Sequence, residues 1–349
     1  MAQDYVQIAL EESPRYEGAV TTAPYRISTS VAYLPVTAAR LDDGRGDQTR
    51  RDELRGIEDG GYSNVVEQFE PAGSLSMRLY MNQICHLLSL NGWSHTYTAG
   101  DGIITDPDSV VIPATANRWV FTRRGGNRAQ TGQVTLAYAD EGVFLREQGV
   151  AIPQLTLNAN GQVGAELRGL VLARIADPSL TPSYDASTIL PGTRGDLTID
   201  WVSGGGRISD FSLESSLSLD PDWSIGPLSG SASKFARDML HGDDLPMVSG
   251  TINKRDIAAN DWDKLLDGST FSAKARWKTA TSILATAYKY AMWVEMPACQ
   301  IVEGEAEEAG GSKRSLGADY NFEAKYDTVA GYSARITVVN AVTSINTYV

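Results

Sequence analysis

Apolar and polar residues alternate one for one along much of this chain, and that rhythm constrains its fold more than any other feature. In Phe271-Ser-Ala-Lys-Ala-Arg-Trp-Lys278, the residues Phe271, Ala273, Ala275 and Trp277 point one way while Lys274, Arg276 and Lys278 point the other. Leu197, Ile199 and Trp201 alternate with Thr198 and Asp200, Phe211 and Leu213 with Ser212 and Glu214, and Ala334, Ile336 and Val338 with Arg335 and Thr337. Successive side chains of a strand face opposite sides of a sheet. A period of two therefore means one buried and one wetted face, the pattern of antiparallel sheets. Gly, Ser, Asp and Asn separate the runs as turn residues do. The expected class is mainly β, an antiparallel β-sandwich with short flanking helices.

Two segments break the alternation. Met81–Leu90 places Ile84, Leu87 and Leu88 on one helical stripe and stops at Gly92. Ile257–Leu266 groups Trp262, Leu265 and Leu266 and stops at Gly268. A glycine just past the last turn can take the left-handed conformation that closes a helix. Ser272–Lys289 is Ala-rich but starts as a strand, which leaves Thr281–Tyr288 open between helix and strand. Each helix follows an apparent strand, Ser74–Tyr80 or Val248–Lys254. Each half then carries a hairpin: Phe144–Leu157 with Gln162–Arg174, and Met292–Val302 with Leu316–Asp327. A strand–helix–strand–hairpin set occurring twice at roughly 150–180 residues gives two domains of ordinary size, 1–180 and 181–349. The other reading is one large sandwich in which similar elements recur.

The charge balance narrows the partners. Lys plus Arg is 30 against 43 Asp plus Glu, a formal charge of −13. Tight wrapping of DNA or of an anionic membrane needs a basic surface, so both are excluded. Cys85 and Cys299 are the only cysteines, too far apart in sequence for a metal motif and too few for a disulfide framework. The opening Met1-Ala-Gln-Asp lacks a basic leader region, so no secretory signal is expected. No run of 18 apolar residues occurs, so no membrane helix is expected.

Motifs for chemistry are weak. The three histidines, His86, His95 and His241, have no Gly-x-Ser-x-Gly elbow and no zinc spacing beside them. Asp106-Pro-Asp108 lacks the remaining ligands of a calcium loop and reads as a turn. Gly204-Gly-Gly206 joins two strand-like runs rather than opening a helix, so it reads as a hairpin and not a phosphate cradle. Arg45-Gly-Asp47 is an adhesion-like tripeptide inside a charged loop. Arg118, Arg123, Arg124 and Arg128 interleave with Trp119 and Phe121; against the negative total, salt bridges to an acidic neighbour are the better reading than nucleic acid. No catalytic, cofactor or metal residue is assigned, and an enzyme is not expected. Two surface segments stand out. Leu41–Gly61 mixes both signs (Asp42, Asp43, Arg45, Arg50, Arg51, Arg55) and is too costly to desolvate in a core. Glu303–Gly311, with Glu305, Glu307 and Glu308, is the acidic tip of the last hairpin.

The order of these elements resembles the tail tube (major tail) proteins of long-tailed, non-contractile bacteriophages. The likeness is carried by Glu70–Tyr80 with its helix to Gly92, by Gly205–Leu217, by Val248-Ser-Gly-Thr-Ile with its helix, by Phe271–Lys278, and by Asp319–Tyr332 with Ala334–Asn340. It covers most of the chain from about Tyr25 and lies in order and texture rather than in a sharp motif.

What the resemblance implies is a virion protein with no catalytic residues and no cofactor. Its β-sandwiches would assemble into rings of sixfold or pseudo-sixfold symmetry, stacked into a hollow tube through which DNA is ejected without specific binding. Its partners would be its own copies and, at the tube ends, other tail proteins. A chain of 349 residues is long for one tube domain. Two tandem sandwiches would let three copies close a ring; six copies, each with a decorating domain, is the other option. Leu41–Gly61 is then the expected ring-stacking loop. Glu305, Glu307 and Glu308 are candidates for the lumen or ring rim, or else a solvated outer hairpin. Two other classes stay open: a β-sandwich receptor-binding or adhesion protein of a virion, marked by an exposed platform or pocket, and a β-scaffold hydrolase, marked by paired carboxylates in a cleft.

Overall fold

The computed structural model describes residues 5–11, 32–42, 48–49, 65–66, 70–123, 129–138, 141–176, 195–199, 208–222, 238–242, 247–254, 264, 266–284, 286–306, 318–343 and 345. The protein is mainly β. The first half contains β1 (Tyr5–Leu10), β2 (Ala32–Leu34), β3 (Val36–Asp42), β4 (Gln48–Thr49), β5 (Val65–Val66) and β6 (Ala72–Arg78). Helix α1 (Ile84–Leu90) follows, then β7 (Trp93–Ala99), β8 (Asn117–Arg123), β9 (Gly132–Tyr138), β10 (Val143–Asn158), β11 (Gln162–Arg168) and β12 (Val171–Ile175). The second half contains β13 (Asp196–Ile199), β14 (Ile208–Ser216), β15 (Leu219–Asp222), β16 (Asp238–His241) and β17 (Met247–Lys254). It ends with β18 (Phe271–Ser282), β19 (Lys289–Ala306), β20 (Ala318–Ala324) and β21 (Arg335–Asn340). The named pairings are all antiparallel.

Strand chemistry follows the alternation. In β18 the buried positions are Phe271, Ala273, Ala275 and Trp277, and Lys274, Arg276 and Lys278 face outward. The strand runs to Ser282 and then turns, with Ile283 N–H donating to the Tyr288 carbonyl, which settles the Ala-rich stretch as a hairpin. All seven residues of α1 are buried. Gly92 (φ +78°) closes it, and Gly268 (φ +64°) follows helical Leu266 and Asp267. Residues 255–263, the body of the second expected helix, lie outside the described residues. The main hydrophobic cluster takes side chains from both halves, among them Ile8, Leu87, Trp93 and Trp119 with Trp277, Trp293 and Val338. Buried carboxamides fix this seam. Asn91 Nδ2 donates to the carbonyls of Ile152 and Ser215, at 2.9 and 3.1 Å, and Asn340 Nδ2 donates to that of Met81 at 2.9 Å.

The pairing scheme repeats. In the first half β3, β6, β11 and the second part of β10 lie side by side; in the second half β14, β17, β20 and the second part of β19 do the same. The first part of β10 pairs with β9 and β12, and the first part of β19 with β18 and β21. β1 pairs with β9 as β13 pairs with β18.

Local detail repeats as well. A register shift falls between Val36 and Ala38 in β3 and between Ile208 and Asp210 in β14. At that bulge Thr37 Oγ1 donates to the Ser76 carbonyl at 3.0 Å, and Ser209 Oγ to the Asn253 carbonyl at 3.2 Å. A Cβ at Gly73 would stand 2.5 Å from the Arg40 oxygen, and one at Gly250 would stand 2.6 Å from the Ser212 oxygen. Only glycine lets the two strands approach so closely at these matched points. Gly73→Ala and Gly250→Ala should therefore each destabilise the chain, by about 1–3 kcal/mol. Gly164→Ala, where the nearest atom is 3.9 Å away, should change stability by under about 0.5 kcal/mol. Urea unfolding of the three variants checks this.

One buried acid stands apart. Glu147 on β10 sits opposite Val134 and Leu172, and a Cβ at Gly169 would fall 2.3 Å from its Oε1. Neither carboxyl oxygen has a hydrogen-bond partner among the described residues, and burial pushes its pKa up to about 8. The unfolded chain ionises this group near 4.5, so its destabilising effect is absent below that pH and grows as pH rises toward 8. Glu147→Gln should match the parent at pH 4 and be more stable by about 1–3 kcal/mol at pH 7–8, measured by unfolding across that range.

Candidate self-association surface

Because β10 also pairs with β14, the two four-strand blocks join into one run of eight: β3, β6, β11, β10, β14, β17, β20, β19. One side of this sheet rests on the core. The other carries the polar half of each alternation. Short side chains there bond across strands: Ser212 Oγ with Thr251 Oγ1 at 2.7 Å, Asn253 Nδ2 with Asp319, and Asn321 Nδ2 with Glu303 Oε2 at 2.8 Å. A shallow groove of about 470 Å³ runs here, lined by Asn158, Asp210, Ser212, Thr251, Asn253, Asp319 and Asn321.

Charge divides along the sheet. The outward positions of β14, β17, β20 and the end of β19 include Asp210, Glu214, Asp319, Glu323 and Glu303 and no Lys or Arg among the described residues. The first block is mixed: Arg40 pairs with Asp42 at 2.7 Å and Arg168 with Glu70 at 3.4 Å. Beyond β19 the basic row of β18 is neutralised from above. The loop between β7 and β8 lowers Asp108 onto Lys274 Nζ at 2.9 Å, Arg276 Nη1 at 2.8 Å and the Trp293 indole N–H at 3.1 Å. Asp106 Oδ1 shapes that loop by accepting from the backbone N–H groups of Asp108 and Val110. Partial burial alone would raise the Asp108 pKa, but the hydrogen bonds from Lys274, Arg276 and Trp293 outweigh it and hold the carboxyl well below the usual range.

Among the described residues, β3 pairs only with β6 and Gln300–Ala306 of β19 pairs only with β20, so neither end of the eight-strand run carries a further described strand. Unpaired strand edges present rows of N–H and C=O groups that template pairing with another chain.

The residues singled out in sequence fall as follows. Asp42 ends β3; Asp43, Arg45, Arg50, Arg51 and Arg55 lie outside the described residues, although Gln48–Thr49 pairs with Val65–Val66 across that segment. Glu305 lies in β19 opposite Asp319; Glu307 and Glu308 lie outside the described residues, as do Gly204–Gly206, Arg45-Gly-Asp47, Arg124 and Arg128. Arg118 and Arg123, read in sequence as salt-bridging, have the following partners among the described residues. Arg118 Nη1 donates to the Thr105 carbonyl. Arg123 stacks over Trp93 at 4.4 Å and donates to the Met247 carbonyl at 2.7 Å, and its burial lowers its pKa to about 9. Arg118 also lies close enough to Asp101 for its charge to help lower the pKa of that carboxyl. His86 is buried in α1 with its pKa lowered to about 4 by desolvation, and His95 packs edge-on to Trp119. No group of three or more His, Cys, Asp or Glu that could hold a metal occurs among the described residues, and none of their helices is long and apolar enough to cross a membrane.

Sequence reasoning saw Asp106-Pro-Asp108 as a turn and missed Asp108 as the counter-ion of the β18 row. The signal was the uninterrupted Lys274, Arg276, Lys278 alternation, which needs an acid brought from elsewhere. Compared with known protein families and curated proteins, the chain matches no family model and no individual protein.

Asp108→Asn should cost about 1–2 kcal/mol, since the charge-assisted bonds are lost while their cationic partners stay partly solvated. The folded pKa lies below the ordinary value, so the contribution of the acid is present above about pH 4 and fades as pH falls below it. The variant and the parent should therefore converge in acid, which thermal melts at pH 7 and pH 3 will show.

Proposed function

We propose that this chain is a structural virion protein that assembles with itself into stacked rings, forming the hollow tail tube of a long-tailed, non-contractile bacteriophage. The observation that carries the reading is the eight-strand sheet, polar over its outer face, whose two end strands have no further strand beside them among the described residues. A soluble protein that kept such edges bare would aggregate; one that pairs them with its own copies closes them. The twofold pairing scheme supports two sandwich-type units per chain, so that three copies supply six units to a ring. The acidic, hydroxyl-rich face suits a conduit. Phosphate neutralisation by Lys and Arg is what grips DNA, and the second block's outward face offers neither among the described residues. Leu41–Gly61, mixed in charge and beginning at the end of β3, is the proposed contact between stacked rings.

Electron microscopy of the purified protein at rising concentration tests this. Hollow tubes or stacked rings with a threefold or pseudo-sixfold section are expected. Dispersed single particles at every concentration would overturn it, and six chains per ring would overturn the three-copy form. Assembled tubes should not bind duplex DNA at submicromolar concentration in physiological salt. Removing Arg45–Arg55 should leave a folded, soluble subunit that forms rings but does not elongate.

A further inference from the structure

We propose that Lys274, Arg276, Lys278 and the Trp293 indole form a binding site for a phosphate dianion, and that the β7–β8 loop fills this site with the Asp108 carboxylate as a tethered competitor. The site lies on β18 and the first part of β19, outside the eight-strand run, and does not depend on how the chain assembles.

Neighbouring strands bring the donors to one outward face. Arg276 stands opposite Trp293 and Asp196, and Lys274 stands opposite Glu295. Four donors converge on one carboxylate. Lys274 Nζ meets Asp108 Oδ1 at 2.9 Å, while Arg276 Nη1, the Trp293 indole N–H and Lys278 Nζ meet Oδ2 at 2.8, 3.1 and 3.6 Å. Lys278 also lies 5.8 Å from the centre of the Trp293 ring. Trp293 is fully buried, so its N–H needs an acceptor at this point. The other carboxylates here are committed: Asp196 accepts from Arg276 Nη2, and Glu295 accepts from Arg335 at 3.0 and 3.2 Å. Three cations therefore face two single charges, Asp108 and Asp196. A phosphate dianion brings the further charge, and the further oxygens, that this set of donors can hold.

Asp108 comes from outside the sheet, on a preformed loop tip. Asp106 Oδ1 accepts from the N–H groups of Asp108 and Val110, both at 2.9 Å, and the Asp106 carbonyl accepts from Ser109 N–H at 2.9 Å. Ser109, next to Asp108, has φ +63°. That left-handed conformation is costly for a serine and persists only where the surrounding contacts impose it. Ile112 is buried at the base of the loop, but Ile103, Val110 and Val111 are exposed, at 78%, 47% and 49%. What holds the tip down is therefore chiefly polar: the contacts of Asp108, and the hydrogen bond that the Tyr288 hydroxyl donates to Asp106. The side chains of Lys274, Arg276 and Lys278 keep 35%, 34% and 38% of their surface exposed, against 15% for Asp108. The carboxylate plugs a site whose walls solvent already reaches.

Titration of full-length Asp108→Ala with sodium phosphate at constant ionic strength tests this. The Trp293 indole N–H resonance, assigned with Trp293→Phe, should shift saturably. Half-saturation should fall at least about tenfold below that of the parent, because the tethered competitor is gone. Adding Arg276→Gln to Asp108→Ala should abolish the shift. Formate has the size of the lost carboxylate but a single charge, and should bind the variant more weakly than phosphate. A short single-stranded oligonucleotide, with one charge per phosphodiester, should also bind more weakly at equal phosphate concentration. Tighter binding of either would overturn the assignment to a phosphate dianion. Tyr288→Phe keeps the proposal testable should Asp108→Ala not fold. It leaves the site intact and removes the other tether of the loop, so half-saturation should fall about threefold or more. The same phosphate response in the parent and in both variants, or none in any of them, would overturn the proposal.

Discussion

Everything in this structure depends on where backbone hydrogen bonds at strand edges are satisfied. β10 is paired on both edges along most of its length, first by β9 and β12 and then by β11 and β14. The β14 contact turns two four-strand blocks into one sheet and brings both halves onto one hydrophobic cluster. A buried carboxamide makes the junction specific. Asn91, at the end of α1, donates to a carbonyl of β10 and to one of β14, and a slip of either strand by one residue would leave a buried donor unsatisfied. The second part of β19, built like that of β10, pairs with β20 on one edge and with no further strand among the described residues.

Side-chain chemistry divides the outer surface by sign. Where a basic row occurs, on β18, it is covered by Asp108 at the tip of the β7–β8 loop, and Asp196 takes a further hydrogen bond from Arg276. Where an acidic row occurs, on β14, β17 and β20, carboxamides and hydroxyls hold part of it, and Lys325 pairs with Glu323. The net charge of −13 is therefore not spread evenly. Part of it is concentrated on a sheet face whose strands carry no outward Lys or Arg among the described residues.

Much of this was legible in the sequence, for definite reasons. A period of two reports burial on one face, so Phe271–Lys278, Ile208–Leu213 and Ala334–Val338 could be read as strands, and Gly92 announced the end of α1. Ser, Thr and Asn at the outward positions of β14 and β17 were visible as well, though not that they bond across strands, because pairing partners lie tens of residues apart. Asp108 was out of reach for the same reason: its partner Lys274 stands 166 residues away. Arg123 misled because a guanidinium in sequence looks like a charge seeking a carboxylate. In the structure it is a donor buried over Trp93, serving backbone carbonyls.

The two halves share few identical residues, and the physics of a pleated sheet accounts for it. Antiparallel pairing is made by the backbone, so most positions need only keep their side of the alternation. Leu41 and Leu213 match, but Arg40 corresponds to Ser212 and Ala38 to Asp210 without disturbing a ladder bond. Two kinds of position are not free in this way. One is the bulge, where a hydroxyl on Thr37 or Ser209 supplies a hydrogen bond to the partner strand. The other is the point where a carbonyl oxygen crowds the facing Cα, which admits glycine alone at Gly73 and Gly250. A repeat held by backbone geometry therefore survives as a pattern of bulges, hydroxyls and close approaches long after it has ceased to be visible as identity. Those few residues carry the equivalence of β3 with β14.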